Sequence, residues 1–307
     1  MKFFIKTVCF IFLFLIIFLF NTQTFSKNTK IKYSKDSISN YFSGVVSLNQ
    51  NYTTTGFKFL RKVEFLKNSH SNYNTQFIRT LVLLEKFDQA FAFSKSLWTE
   101  DKILFEIDLL LGLESFINQD YESSKKYFKR LNKFYEHSLF YENFLGNILL
   151  SWNEASKGNK EESIKYFNKI PKKYENLKEI QDSFLNCYFD TPKTKSSFEK
   201  LTDEKKLSFS RYNFFLANYL LYKNKKSEAK NAILNGRKIQ NTNLLIKQAE
   251  DFILSGDIKK ITEVFNCQNP KDVIAEIFYV IANLYSTQEN YQLSNFYLKV
   301  SFFLNKK

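Results

Sequence analysis

A small residue returns at a fixed interval behind short polar turns, and this return constrains the fold more than any other feature of the chain. Phe87-Asp-Gln-Ala90, Tyr121-Glu-Ser-Ser124-Lys-Lys-Tyr-Phe128 and Lys160-Glu-Glu-Ser163-Ile-Lys-Tyr-Phe167 align with one another. Lys226-Ser-Glu-Ala229 with Ile233, and Tyr291-Gln-Leu-Ser294 with Leu298, join them further on. The small residues at 90, 124, 163, 229 and 294 are 34, 39, 66 and 65 apart: one unit, one lengthened unit and two near-double units. A constant return of this kind marks a repeat in which each unit buries its apolar face only against its neighbours. Tyr52-Thr-Thr-Thr55 with Phe59 carries the series back by 35 residues.

The unit reads as a helix pair. In Tyr121–Leu131, positions 121, 124, 127, 128 and 131 share one helical face, with Ser124 at its centre, where a small side chain lets the preceding helix approach. Residues 103–117 make that preceding helix, and Asn118-Gln119-Asp120 is the turn between them. The same order recurs in residues 212–222 before 223–226, and in residues 274–285 before 288–290. Seven Gly and three Pro in 307 residues are too few turn-formers for an all-β fold. Pro171, Pro192 and Pro270 all fall between predicted helices, where proline is tolerated.

On these residues the chain resembles the tetratricopeptide repeat family, whose unit is 34 residues with a Leu-Gly pair early and an Ala and Phe late. Leu111-Gly112, Tyr121, Ser124 and Phe128 stand at those places in the best unit. Leu216-Ala217, Ala229 and Ile233 match in another, and Ile281-Ala282, Tyr285, Tyr291 and Leu298 in the last. Ala90, Ser163, Phe167 and Ser294 complete the packing signature. The resemblance implies an all-α solenoid of stacked antiparallel helix pairs, a right-handed superhelix of about seven units over residues 37–307. Residues 177–207 and 244–265 have the length and patterning of units without the small-residue signature.

It also implies a binding surface. In this family the first helix of each unit lines a concave groove, which here places Arg79, Trp152, Arg211, Asn218, Tyr222, Tyr279 and Asn283 on that surface. Arg, Trp and Tyr are the residue types that anchor interfaces, so the expected occupant is a protein or peptide. The alternative for Trp152 and Tyr279 is packing between repeats. In the unit containing Glu106, the same positions, Leu109, Leu113 and Phe116, are apolar. That pattern fits burial or an apolar partner. The last unit ends at Val300, Phe303 and Leu304 with an apolar face and no polar capping helix, so contact with a partner is expected there too.

Ahead of the repeats, residues 1–26 follow the grammar of a secretory leader: Lys2 and Lys6, 13 apolar residues at 8–20, then Thr24-Phe25-Ser26 before Lys27. Lys27, Lys30, Lys32 and Lys35 make residues 27–36 a basic polar linker, and positive charge there resists translocation. Two outcomes stay open: a cleaved signal with a periplasmic body, or an uncleaved anchor in the inner membrane with an exported body. The first makes the protein a soluble adaptor of the cell envelope, the second a membrane-anchored structural subunit of an envelope complex.

The chemistry that remains is sparse. The net charge of +14 becomes +12 without Lys2 and Lys6, and the lysines are interleaved with Glu and Asp in the manner of a solvated surface. Aromatic residues make up 18% of the chain, and their helical spacing at Tyr127, Phe128, Tyr166 and Phe167 reads as buried seams between helices. With export, that excludes nucleic acid as the expected partner. His70 and His137 stand far apart without ligand spacing for a metal. No phosphate loop, nucleophile elbow or zinc motif occurs. The expectation is a protein that is not an enzyme, with no cofactor. Cys187 and Cys267 lie 80 residues apart, more than two units. A stacked array would hold them beyond the ~7 Å Cα separation a disulfide needs, so they are expected as buried thiols.

Overall fold

The computed structural model describes residues 33–133, 143–203, 210–240 and 242–306; the leader, residues 27–32 and His137 lie outside these. Residues 1–39 and 40–307 are two compact units. The described part of the first is the lead into α1, which starts at Lys35, within the stretch read as linker. The helix packing belongs to the second.

Among the described residues, sixteen α-helices pair in chain order. The first pairs are α1 (Lys35–Asn49) with α2 (Thr53–Arg61), α3 (Ser71–Leu83) with α4 (Phe87–Leu97), and α5 (Phe105–Ile117) with α6 (Tyr121–Leu131). Next come α7 (Leu145–Ser156) with α8 (Lys160–Asn168), and α9 (Glu175–Tyr188) with α10 (Thr194–Leu201). The last are α11 (Tyr212–Tyr222) with α12 (Lys226–Ile239), α13 (Leu244–Leu254) with α14 (Lys259–Val264), and α15 (Pro270–Thr287) with α16 (Tyr291–Leu304). The two stretches without signature residues are therefore pairs as well, giving eight where the sequence suggests about seven.

A backbone feature marks every unit. Asn51, Glu85, Gln119, Gly158, Asp190, Asn224, Gly256 and Glu289 have positive φ, one in each hairpin turn, at intervals of 34, 34, 39, 32, 34, 32 and 33 residues. In seven of the turns the next N–H reaches back five residues, as from Asp120 to the Ser115 carbonyl at 2.9 Å and from Asn290 to the Tyr285 carbonyl at 3.0 Å. This closes the first helix in a Schellman motif. In three turns the same residue then opens the second helix: Asp120, Asn159 and Asn290 accept from the N–H of Ser123, Glu162 and Leu293. One short polar segment thus satisfies both helix ends.

Inside five of the eight hairpins small residues work in couples. Gly44 and Gly56, Gly112 and Ser124, Ser151 and Ser163, Ala217 and Ala229, and Ala282 and Ser294 each stand twelve residues apart, one on each helix. Ser124 Oγ donates to the Gly112 carbonyl at 3.0 Å, and the hydroxyls of Ser151 and Ser163 meet at 3.0 Å. Ala90, Leu111, Phe128 and Phe167 are buried and Tyr121 is half-buried, whereas Tyr291 stays 55% exposed. A β-carbon on Gly112 would run into the ring of Phe128, which is fully buried. Overpacking of that kind costs about 1–3 kcal/mol against at most about 1 kcal/mol regained in helix propensity. Gly112→Ala is expected to lower the melting temperature, and a neutral or stabilising result in thermal unfolding would contradict this packing.

The array also closes on itself. Helix α15 packs against α7 and α9, and α16 packs against α3. Phe303 stacks on Phe87 with ring centres 3.9 Å apart and meets Phe91 edge-on. Lys299 pairs with Glu85, and Gln292 donates to Asn49 at 2.8 Å. The apolar end of the last helix is thus covered by the second helix pair of the same chain, where the sequence suggests an external partner. The first helix of the fourth pair, which α15 packs against, is buried without a break from Leu145 to Ala155. Closure also corrects the cysteine expectation. Cys187 on α9 and Cys267 before α15 form a disulfide with Cα atoms 6.0 Å apart, because folding back sets the start of the last pair against the fifth.

Candidate functional site

The seven residues placed on the groove by resemblance go to different fates: Arg211 engages the last pair, whereas Arg79, Trp152 and Asn218 are held by other elements. Trp152 is fully buried; its Nε1 donates to Gln181 Oε1 at 2.9 Å, and Tyr188 meets it edge-on. Asn218 is buried and donates to the carbonyls of Ile261 and Phe265 at 2.9 and 2.7 Å, fixing the end of the seventh pair. Arg79 donates from Nε to Glu106 Oε1 at 2.8 Å. Tyr222 is 58% exposed on its own.

Arg211, Tyr279 and Asn283 are brought together. Arg211 grips Glu276 of α15 with two hydrogen bonds of 2.8 and 2.7 Å, and its guanidinium lies 3.9 Å over the Tyr279 ring. Burial works against the Arg211 charge, but the Glu276 carboxylate outweighs it and raises the pKa above the usual arginine value. Tyr212, fully buried beside this pair, has its phenol raised well above its ordinary value, first by burial and then by the Glu276 charge. The Arg211–Glu276 clamp is therefore a structural bolt between α11 and α15, and its charges satisfy each other.

Above the bolt a cavity of 610 Å³ opens between the first helices of three pairs. Its floor is Tyr174, Leu177 and Ile180 from the start of α9, with Val280 and Leu284 of α15. Asn176, Gln240, Asn283 and Gln288 put carboxamides around it, with Ser210, Thr287 and Lys173. Gln240 Oε1 accepts from Ser210 Oγ at 2.7 Å, so its amino group is turned to donate. Asn283 is the mirror case: its amino group donates to the Tyr279 carbonyl at 2.7 Å, so its oxygen is turned to accept. Of these residues only Arg211 and Asn283 were legible as groove positions. The others sit at helix ends, or in segments lacking the repeat signature, and only the closing of α15 onto α9 and α11 gathers them.

A second space of 490 Å³ lies between α1, α3 and α5, lined by polar groups that include Ser71, Asn72, Thr75, Gln76 and Arg79. His70 is used structurally at its edge, accepting from the Tyr73 N–H at 3.1 Å to cap α3. Among the described residues there is no cluster of three His, Cys, Asp or Glu side chains able to hold a metal ion, and no helix long and apolar enough to cross a membrane.

No family model matches this chain, and no curated protein matches it. Among solved structures, the Rap conjugation gene regulator of the plasmid pLS20, in complex with a Phr peptide, aligns over 93% of this chain and 80% of that one. The alignment has 13% identity and a TM-score of 0.26, a likeness too distant to carry fold or function across.

Proposed function

We propose that this chain is a non-catalytic scaffold of the tetratricopeptide type, exported to the cell envelope, that holds a protein or peptide segment in the cavity left open by its last helix pair. The carrying observation is the 610 Å³ cavity itself, with an apolar floor and a ring of carboxamides contributed by several pairs. Ligand sites are typically concave, largely apolar and furnished with a few placed polar groups. The 32–39-residue turn spacing and the twelve-residue small couples support the tetratricopeptide reading. The disulfide supports export, since such bonds persist in oxidising compartments and are rare in the cytosol. Arg211, the buried charge in the lining, is paired with Glu276, which favours a binding role for this face.

A photo-crosslinking residue in place of Thr287, at the cavity, is expected to trap a defined partner in envelope fractions. The same residue in place of Glu161, at the exposed start of α8, is expected to trap none. Equal adducts from both positions, or adducts from Glu161 alone, would refute binding at this face.

A further inference from the structure

We infer that the polar space between α1, α3 and α5 is a second ligand site, and that it takes a neutral oligosaccharide. It is separate from the cavity assigned to the protein partner, so the two readings stand or fall independently. Its volume of 490 Å³ lies within the ~300–1,000 Å³ range of small-ligand sites. Three observations point to the class of ligand.

The first is a set of hydrogen-bonding groups that the protein leaves unused. Tyr41, Thr75 and Gln76 are half-buried in the lining, and no hydrogen bond from the described residues engages their side chains. A phenol, a hydroxyl and a carboxamide can each donate and accept. Beside them Glu106 is only 5% exposed, and Arg79 sets both of its hydrogen bonds on Glu106 Oε1. Oε2 is left to accept from a donor that the ligand brings. A sugar ring carries several hydroxyls that donate and accept, arranged around C–H faces. Those faces suit the ring of Tyr41, which is held with its centre 5.0 Å from that of His70.

The second is charge. Arg79 pairs with Glu106, and Lys299, which lines a neighbouring space of 280 Å³, pairs with Glu85. Both signs are matched before a ligand arrives, so these groups favour a neutral one. A bulky apolar anchor has its floor in the other cavity, over Leu177, Ile180 and Leu284.

The third is shape. Gln76 and Arg79 line both polar spaces, which together follow one face of α3 from Asn72 to Leu83. That stretch of helix rises about 16 Å. The site is therefore a groove for a chain of rings, not a pocket for one.

The test is isothermal titration of the full chain with maltotriose and triacetylchitotriose, both neutral, and with trigalacturonate, whose rings carry carboxylates. The expected result is saturable binding of a neutral trisaccharide at least tenfold tighter than of trigalacturonate, although a net charge of +14 favours the anion. Thr75→Val and Gln76→Leu keep the side-chain bulk and remove the polar groups, and each is expected to weaken binding at least tenfold. Glu161→Ala, at the exposed start of α8, is expected to leave it unchanged. The comparison of neutral and anionic sugars needs no variant and decides the matter if either substitution misfolds. No binding of either neutral sugar, equal or tighter binding of trigalacturonate, or unchanged binding in both variants overturns the inference. Equally tight binding of a glycine–serine hexapeptide also overturns it, by making the groove a peptide site. A partner trapped at Thr287 without sugar binding removes this inference alone, and sugar binding without a trapped partner removes only the reading of the larger cavity.

Discussion

Serine at both Cys187 and Cys267 is expected to loosen the last helix pair and lower stability by about 2–4.5 kcal/mol, the upper figure being the chain-entropy value for an 80-residue loop. The loss should be local. In a stacked array each pair touches mainly its neighbours, so opening proceeds in segments and not all at once. The disulfide is a contact of another kind, tying the fifth pair to the start of the eighth. Beside it Gln268 Nε2 donates to the Cys187 carbonyl at 2.9 Å, and the Arg211–Glu276 bolt lies further along α15. With the covalent tie gone, these polar contacts and the stacking of Phe303 on Phe87 must hold the closure alone. Amide hydrogen exchange should show protection falling over residues 270–304 and 175–188 and unchanged in residues 105–131. A uniform loss, or none, would show that closure does not depend on the bond. Both sulfurs belong to residues no more than 6% exposed, so reductant added to the folded protein should act far more slowly than the substitution predicts.

The helix pairs were legible because their packing has a period. Ala90 and Ser124 announce themselves by a 34-residue return, and Ala229 by a near-double one, since only a small side chain fits where two helices cross. The pairs α9–α10 and α13–α14 lack that couple and were visible only as lengths of helical patterning. Their turns were hidden for another reason. The left-handed position after a helix usually declares itself as Gly or Asn, but here Glu85, Gln119 and Glu289 occupy it. A chain with seven glycines uses whatever polar residue the turn supplies. What the sequence could not carry was the return of α15 and α16 onto the earlier pairs. No local pattern encodes it, because it is fixed by summed small rotations between units together with contacts such as Phe303 with Phe87. That single long-range event explains why Cys187 and Cys267 meet and why the cavity lies where no motif pointed, whereas Trp152 packs on Gln181 and Tyr188 of the neighbouring pair, as the packing alternative had it.

Removing the Arg130 guanidinium is expected to cost about 3–5 kcal/mol, the range for breaking one side of a buried ion pair. Arg130 donates to Asp108 Oδ1 at 2.7 Å and to the carbonyls of Thr99, Glu100 and Lys102 at 3.0, 2.6 and 2.7 Å. It also lies 5.1 Å over the Trp98 ring, whose Nε1 donates to the same Asp108 oxygen at 3.1 Å. One side chain therefore pins the whole connection between α4 and α5 onto α6. Asp108 is fully buried, and burial raises its carboxyl pKa even though Arg130 and Trp98 pull it down. That direction sets the sign of the pH effect. A carboxyl whose folded pKa is raised binds its proton more tightly folded than unfolded, so this group favours the folded state as pH falls through that window and disfavours it as pH rises. Arg130→Ala removes a lowering influence and raises that pKa further. Its deficit in chemical denaturation should thus be largest at pH 7 and smaller at about pH 4.5, where protonation removes the unpaired charge. Asp108→Asn in the Arg130→Ala background should recover part of the loss at pH 7 and little at the lower pH. An equal deficit at both pH values, with no recovery from the asparagine, would mean that Arg130 acts only through the three carbonyls and that the buried carboxylate is not the source of the cost.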